Sequence, residues 1–323
     1  MYHYSQLIEK TEAAIAGIQY PQQPEGLYEP MAYVLSLGGK RIRPVFLLLA
    51  AQLFDKHAER HMDAAVSLEM FHNYTLLHDD LMDKADVRRG QPTVHRRWDA
   101  NTAILSGDAM LMLASKRMYE ATIECPIAMQ EYLKTALEVS EGQQFDMNFE
   151  HRTDVTLDEY FEMIRLKTGV LICCALRMGA LLGGASQKDA DILYAYGEQI
   201  GKAFQVQDDY LDVFGDVKTF GKKIGGDILE GKKTFLLINA FNKASATQKM
   251  QMMEWLDCHD AEPQDKIDFF TRLYEELDIP GDYNRCMKEC FDKADALLDS
   301  LNVPEDAKAA LKEFADTLSR RNR

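Results

Sequence analysis

The chain has 323 residues, 46% of them hydrophobic, and carries 52 acidic against 37 basic side chains for a net charge of −15. That acidity argues against nucleic acid as a partner, because binding a phosphate backbone requires a basic surface. Leu, Ala, Glu, Met and Lys abound while runs of Val, Ile and Thr are scarce, which points to an all-α protein with a large core.

Apolar residues at the 3.6-residue period predict helices at about 3–16, 28–36, 41–54, 61–84, 96–119, 129–148, 157–182, 187–214, 232–243, 247–256, 264–277, 282–300 and 304–320. Pro44 suits a first helical turn, Thr156 and Glu159 form a capping box, and Gly183-Gly184 ends the apolar helix before it. Length alone suggests about two domains. No stretch reads as a linker, however: the polar segments 242–248, 257–266 and 278–282 are short enough for helix–helix connections, so residues 1–323 read as one domain. The longest apolar run, 45–54, is too short to span a bilayer, and residues 1–10 lack the apolar core of a signal peptide. Stable membrane insertion is not expected, and a cytoplasmic location is. Cys125, Cys173, Cys174, Cys258, Cys286 and Cys290 fit no zinc spacing. Cys173 and Cys174 read as small core residues, and a Cys286–Cys290 disulfide is not expected in a reducing compartment.

Two acidic clusters carry the chemistry: Asp79-Asp80-Leu81-Met82-Asp83 and Asp208-Asp209-Tyr210-Leu211-Asp212. Each is a DDxxD near the C-terminal end of a predicted helix, its first and last Asp about 40° apart on one face. Carboxylates that close repel and are expensive to desolvate unless cations lie between them. Hard divalent ions are the natural partners, and Mg²⁺ takes one or two carboxylates together with substrate phosphates. One such cluster is as consistent with a solvated acidic face. Two, each preceded by apolar residues (Thr75-Leu76-Leu77 and Ala203-Phe204), favour metal ions gripping a diphosphate.

Basic residues accompany both clusters. Gly38-Gly39-Lys40-Arg41-Ile42-Arg43-Pro44 sets three cations at a helix start, where backbone N–H groups favour an anion. Arg88-Arg89-Gly90 follows the first cluster, and guanidinium forks suit phosphate oxygens. Lys167-Thr168-Gly169 interrupts an apolar helix, while Lys222, Lys223, Lys232 and Lys233 flank Gly225-Gly226-Asp227 after the second cluster. Any one alone reads as surface charge; their joint placement beside both acidic clusters does not.

These motifs resemble the polyprenyl synthetase family of trans-isoprenyl diphosphate synthases, of the short-chain, geranylgeranyl or farnesyl type. The resemblance covers about residues 35–234: GGKRIRP, HDDLMDKADVRRGQPT, LKTG, FQVQDDYLDVFGD and GKKIGGDILEGKKT, in the family's order. It implies an all-α isoprenoid synthase fold around a central cavity, usually in a homodimer. The implied reaction condenses isopentenyl diphosphate with an allylic diphosphate (dimethylallyl, geranyl or farnesyl) and releases pyrophosphate.

By the same resemblance Asp79 and Asp83 bind two Mg²⁺ ions and Asp208 a third, with Mn²⁺ as a substitute, and Asp80, Asp209 and Asp212 support them. Arg88, Lys167 and Lys222 match cations on the allylic diphosphate, with Lys232 nearby. Lys40, Arg43, His72 and Arg89 match the isopentenyl diphosphate pocket, and Thr168 and Gln205 line the allylic cation. His72 lies within about 20° of the Asp79 meridian two turns earlier, so it can share that face. The departing pyrophosphate is the implied base, so no protein base is nominated.

Product length depends on bulk upstream of the first cluster, where Phe71, Tyr74 and Thr75 lie. Tyr74, without the two-residue insertion of bacterial farnesyl diphosphate synthases, resembles the archaeal geranylgeranyl pattern and implies C15–C20 products. On a helical wheel Tyr74 is about 140° and Phe71 about 80° from Asp79, which makes Phe71 a second candidate for the stop. A longer-chain synthase, a class I terpene cyclase and a non-catalytic subunit of a heteromeric synthase are the alternatives. Two intact acidic motifs and GGKRIRP argue against the last two. The terminal Ser319-Arg320-Arg321-Asn322-Arg323 reads either as a basic flap over the isopentenyl pocket or as a frayed end.

Overall fold

Helices form nearly everywhere the apolar period runs in the computed structural model, which describes residues 2–215, 224–258 and 262–319. The chain divides into two compact units: Met1–Leu133 with Cys174–Asp191 and Val303–Leu311, and Lys134–Cys173 with Ile192–Asn302 and Lys312–Arg323. In chain order the helices are α1 (Tyr4–Ala16), α2 (Glu25–Ser36), α3 (Ile42–Gln52), α4 (Met62–Met82), α5 (Val94–Arg97), α6 (Ala100–Ala121), α7 (Pro126–Glu150), α8 (Leu157–Ile164), α9 (Val170–Leu182) and α10 (Gln187–Phe214). After them come α11 (Gly226–Glu230), α12 (Phe235–Lys243), α13 (Ala246–Asp257), α14 (Pro263–Glu276), α15 (Ile279–Asp299) and α16 (Glu305–Ser319).

The first unit is built around α3, which buries every residue from Ile42 to Gln52 except Arg43. A helix apolar on all sides must be enclosed on all sides. α4 packs along both α3 and α6, and α9 approaches α3 at Gly179, where a Cβ would lie 2.1 Å from the Leu47 carbonyl oxygen. Arg41 locks the entry to α3. It takes a left-handed conformation (φ 46°), is 1% exposed, and bonds Glu69 at 2.8 Å, Glu12 at 2.7 Å and the Leu35 carbonyl at 2.9 Å. Asn73 donates to the Glu69 carbonyl and side chain, which completes the network. Of the three cations in GGKRIRP, the middle one is therefore an internal strut, while exposed Lys40 and partly exposed Arg43 flank it.

The second unit gathers α8, the end of α10 and α12, α14 and α15 around a core of Tyr160, Met163, Val206, Val213, Leu236, Phe270 and Ile279. The capping box at α8 forms as the sequence predicts, with the Thr156 hydroxyl accepting from the Glu159 N–H and the Glu159 carboxylate from the Thr156 N–H. The single helix expected over 157–182 is instead interrupted. Residues Arg165–Gly169 form a π-helical turn, which inserts an extra residue between α8 and α9. Neighbouring backbones approach this turn closely: a Cβ on Gly142 of α7 would sit 2.2 Å from the Lys167 nitrogen, and one on Gly201 of α10 would sit 2.8 Å from the Gly169 Cα. The helix expected from 232 starts only at Phe235, with Thr234 as its cap, and the short α11 precedes it.

Removing Arg41 strands the Glu69 carboxylate in the core. Arg41→Leu is expected to lower unfolding stability by about 3–5 kcal/mol, the usual effect of breaking a buried pair from one side. Urea denaturation checks this, and an unchanged midpoint would remove Arg41 from its structural role.

Candidate active site

In the first unit the acidic motif closes α4, with Asp79 and Asp80 in the last turn and Asp83 as the C-cap residue. The three carboxylates occupy different environments. Asp80 is buried, and Arg88 Nε donates to both its oxygens at 2.8 Å. Burial raises the Asp80 pKa and the Arg88 guanidinium opposes that rise. Asp79 is partly exposed, with Arg88 Nη2 3.8 Å from it, and Asp83 is exposed.

Arg88 reaches Asp80 from a two-residue hairpin in which Val87 pairs with Pro92 and Arg88 with Gln91. Its central residues, Arg89 and Gly90, both have positive φ (54° and 75°), as a type I′ turn requires. A left-handed conformation at a non-glycine residue costs about 1–2 kcal/mol, so the turn holds Arg89 against local preference. The Arg89 guanidinium donates to the Gly38 carbonyl, and it lies so close to Gly39 that a Cβ there would meet Nη2 at 2.9 Å. Gly39 thus admits Arg89 to the Lys40–Arg43 loop. His72 completes the group: Arg43 Nη1 lies 3.0 Å from His72 Nε2. Desolvation first, then Arg43, Arg89 and Arg88, hold the His72 pKa well below its ordinary 6.5. The imidazole is neutral, so Nε2 accepts from Arg43.

The second motif ends α10 in the other unit. Asp209 is buried, and three donors converge on it: Tyr160 OH at 2.6 Å, the Phe235 N–H at 2.9 Å and Gln205 Nε2 at 3.0 Å. Burial raises its pKa, with Asp227 adding to the rise and the hydrogen bonds opposing it. Asp212, also buried, accepts from the Asp227 N–H at 3.0 Å, and its own carbonyl accepts from the Gly225 N–H at 2.6 Å. Gly225-Gly226-Asp227 is thereby tied to the acidic motif. Asp208, the remaining carboxylate, is half-buried. Lys232 pairs with Glu230 at 2.9 Å and Asp227 at 3.6 Å.

The π-turn presents Lys167 and Thr168 to the same group. Thr168 Oγ1 donates to Gln205 Oε1 at 3.2 Å, so a chain of bonds runs Thr168–Gln205–Asp209–Tyr160. Lys167 bonds Asp146 of α7 at 2.5 Å. Sequence reading missed Asp146, an acid on the predicted 129–148 helix that belongs to no motif, although the need of Lys167 for an anion was a signal that one existed. Lys222 and Lys223, and the tail residues 320–323, lie outside the described residues.

Of the chain-length candidates, Phe71 is 1% exposed and packs edge-on against Tyr132 of α7 at 5.6 Å between centroids. Tyr74 and Thr75 are partly exposed, and the Tyr74 ring meets Phe71 at 5.5 Å and His78 at 5.0 Å. Gly107 of α6 makes room for His78, since a Cβ there would fall 2.1 Å from its Nε2. Phe71 is a core residue backing the aromatic cluster; Tyr74 is its accessible member. Tyr132 was not singled out from sequence because its place beside Phe71 depends on tertiary packing.

A sequence model of the polyprenyl synthetase family matches residues 24–274, which span both acidic motifs and all their cations. The chain belongs to the polyprenyl synthetase family. It is similar to the geranylgeranyl diphosphate synthase of Methanosarcina mazei, 44% identical over 236 residues and 72% of each chain. It also resembles the geranylfarnesyl diphosphate synthase of Natronomonas pharaonis, 41% identical over 68% of this chain and 70% of that one. A crystal structure of a geranylgeranyl pyrophosphate synthase superposes over all of both chains with a TM-score of 0.92 at 38% identity. The fold is the all-α isoprenoid synthase fold, and the polyprenyl synthetase assignment makes the protein a trans-prenyltransferase. Its family generally uses divalent metal. The donors fit such an ion, being hard carboxylate oxygens that include partly exposed Asp79 and Asp208 and exposed Asp83. Among the described residues no three acidic, His or Cys side chains form a ready cage.

The neutral His72 has a consequence for stability. The unfolded chain protonates this imidazole near its ordinary 6.5, before the folded protein does. Its contribution to stability is therefore complete above about pH 6.5 and declines as pH falls below that value. His72→Gln is expected to flatten that acid limb, compared as urea midpoints between about pH 7.5 and 5. Parallel pH profiles for the two proteins would contradict the burial of a neutral imidazole.

Proposed function

We propose that the protein is a Mg²⁺-dependent synthase that condenses isopentenyl diphosphate with an allylic diphosphate and releases pyrophosphate. The observation that carries this reading is the shared division of labour in both acidic motifs. In each, the second Asp is consumed by internal donors, while the first stays at least partly exposed. Asp79, Asp83 and Asp208 would hold the three metal ions, which, when bound, neutralise charge on the leaving pyrophosphate.

The chain's own residues do the rest. Arg88, Lys167 and Lys232, with Lys222, hold the allylic diphosphate; Lys40, Arg43 and Arg89 hold isopentenyl diphosphate, with neutral His72 orienting Arg43. Thr168 and Gln205, locked to each other at 3.2 Å, present their oxygen dipoles to the allylic cation. Asp80 positions Arg88, and Asp209 and Asp212 hold Phe235 and Asp227 in place. Residues 1–323 act as one synthase domain, a reading supported by the family match running through both units.

The assembly is a homodimer. Ile104, Leu105, Met112 and Tyr119 of α6 and Leu133 and Leu137 of α7 are large apolar residues left exposed, three of them at seven-residue steps along α6. A second copy would cover such a stripe. The six free cysteines support a reducing, cytoplasmic setting. Among the described residues no helix is long and apolar enough to cross a membrane.

Incubating the purified protein with Mg²⁺, isopentenyl diphosphate and each allylic primer, then sizing the dephosphorylated products, tests the reading. Products of C15–C20 are expected, and no elongation with any primer would defeat it. Tyr74→Ala should shift products toward C25 and longer, because each added isoprene unit then buries apolar surface worth about 25 cal/mol per Å² instead of clashing. Phe71→Ala should instead lower stability, by about 3–5 kcal/mol for a fully buried ring. An unchanged product distribution in Tyr74→Ala would place the stop elsewhere.

A further inference from the structure

A cavity of about 620 Å³ opens within the second unit, walled by the 150–157 turn, α12, α13, the start of α14 and the 229–233 connection. None of Asp208, Asp209, Asp212, Lys167 or Lys232 lines it. Its size falls within the usual range for small-molecule sites. Where α12 and α13 meet, the wall is apolar: Leu237, Ile238, Phe241, Met253 and Leu256. Met253 and Leu229 are also among the large apolar residues left exposed on the surface.

Three ammonium groups, on Lys233, Lys249 and Lys266, join that apolar wall. Lys266 is 6% exposed, and its side chain makes no salt bridge or hydrogen bond with any described residue. Enclosing a lysine this way is costly unless an anion joins it. Lys233 spends one hydrogen bond on the Gly231 carbonyl at 2.9 Å. Burial lowers the pKa of both lysines, with Glu150 opposing the fall at Lys233 and Cys258 and Asp257 at Lys266. Four carboxylates also line the cavity. Asp154 is bonded by Arg152 at 2.8 Å and Glu230 by Lys232 at 2.9 Å, which leaves Glu150 and Asp257 facing three lysines.

We propose that this cavity is a second ligand site, which takes an anionic amphiphile: a hydrocarbon tail against the α12–α13 wall and a phosphate head on Lys266, Lys233 and Lys249. An apolar wall alone would suit a neutral ligand, and a lysine cluster alone an inorganic anion. Their union in one cavity, around a buried lysine whose side chain makes no ion pair or hydrogen bond with any described residue, selects a molecule with both parts.

Trp255, on α13 between Met253 and Leu256 and stacked on Phe269 at 5.4 Å, provides the readout. The chain has two tryptophans, so Trp98→Phe in the full-length protein leaves Trp255 as the sole reporter. Farnesyl monophosphate, dodecyl phosphate and inorganic phosphate are titrated separately with EDTA present, which keeps metal-dependent diphosphate binding out of the signal. A saturable one-to-one change in Trp255 emission is expected with the amphiphiles and none with inorganic phosphate. Lys266→Met should weaken binding at least about tenfold, the effect of one lost charge-assisted hydrogen bond. Lys249→Met, at an exposed position that folding does not need, is expected to weaken it about threefold, as for a solvent-screened charge. Tighter binding of farnesyl monophosphate assigns the site to prenyl phosphates, and equal binding assigns it to alkyl phosphates at large; either supports the proposal. No saturable change with either amphiphile, saturation by inorganic phosphate alone, or unaltered affinity in both lysine variants would overturn it.

Discussion

Crowding carboxylates on one helix face is the constraint from which the rest of this structure follows. Two adjacent aspartates at the end of a packed helix cannot both be buried as free charges, and because neighbouring helical residues point about 100° apart, one can turn to the core while the other reaches solvent. Each unit resolves this in the same way with different donors. Asp80 turns inward to the Arg88 guanidinium, while Asp209 turns inward to a phenol, a backbone N–H and a side-chain amide. With the inner carboxylate satisfied, its predecessor is directed outward on a helix that cannot rotate. The bonds that consume Asp80 and Asp209 also fix Arg88 and the start of α12, so anchoring the acids positions the cations.

The same economy shapes the basic loop. Arg41 is consumed by Glu12 and Glu69, which pins the left-handed entry to α3 and leaves Lys40 and Arg43 on either side of it. Arg89 is held in a strained turn, and the glycine at 39 is what lets its side chain pass. A neutral histidine among four arginines is the logical complement: it takes a hydrogen bond from Arg43 without adding another repelling charge.

Much of this was legible in the sequence, because both acidic motifs sit on long periodic helices and their cations stand in short glycine-bearing segments before and after them. What escaped was whatever depends on a second helix. The π-turn at Lys167 packs closely against Gly142 and Gly201 on other helices, and apolar period alone cannot register it. Asp146 lacks a motif of its own and acquires meaning only from Lys167 beside it. Arg41 reads like its neighbours until Glu69, a turn and a helix away, is seen to claim it. Phe71 and Tyr74 look equivalent as bulk before the first motif, yet Tyr132 makes one a core residue and leaves the other accessible.

The division between anchoring and outward-facing aspartates is most directly tested by comparing Asp79→Asn with Asp80→Asn, each purified and measured for thermal midpoint and for turnover across a Mg²⁺ titration. The account expects Asp79→Asn to keep the wild-type midpoint and lose turnover by orders of magnitude, and Asp80→Asn to lower the midpoint as Arg88 loses its partner. Near-wild-type turnover of Asp79→Asn at saturating Mg²⁺, or an Asp80→Asn protein as stable as the wild type, would contradict it.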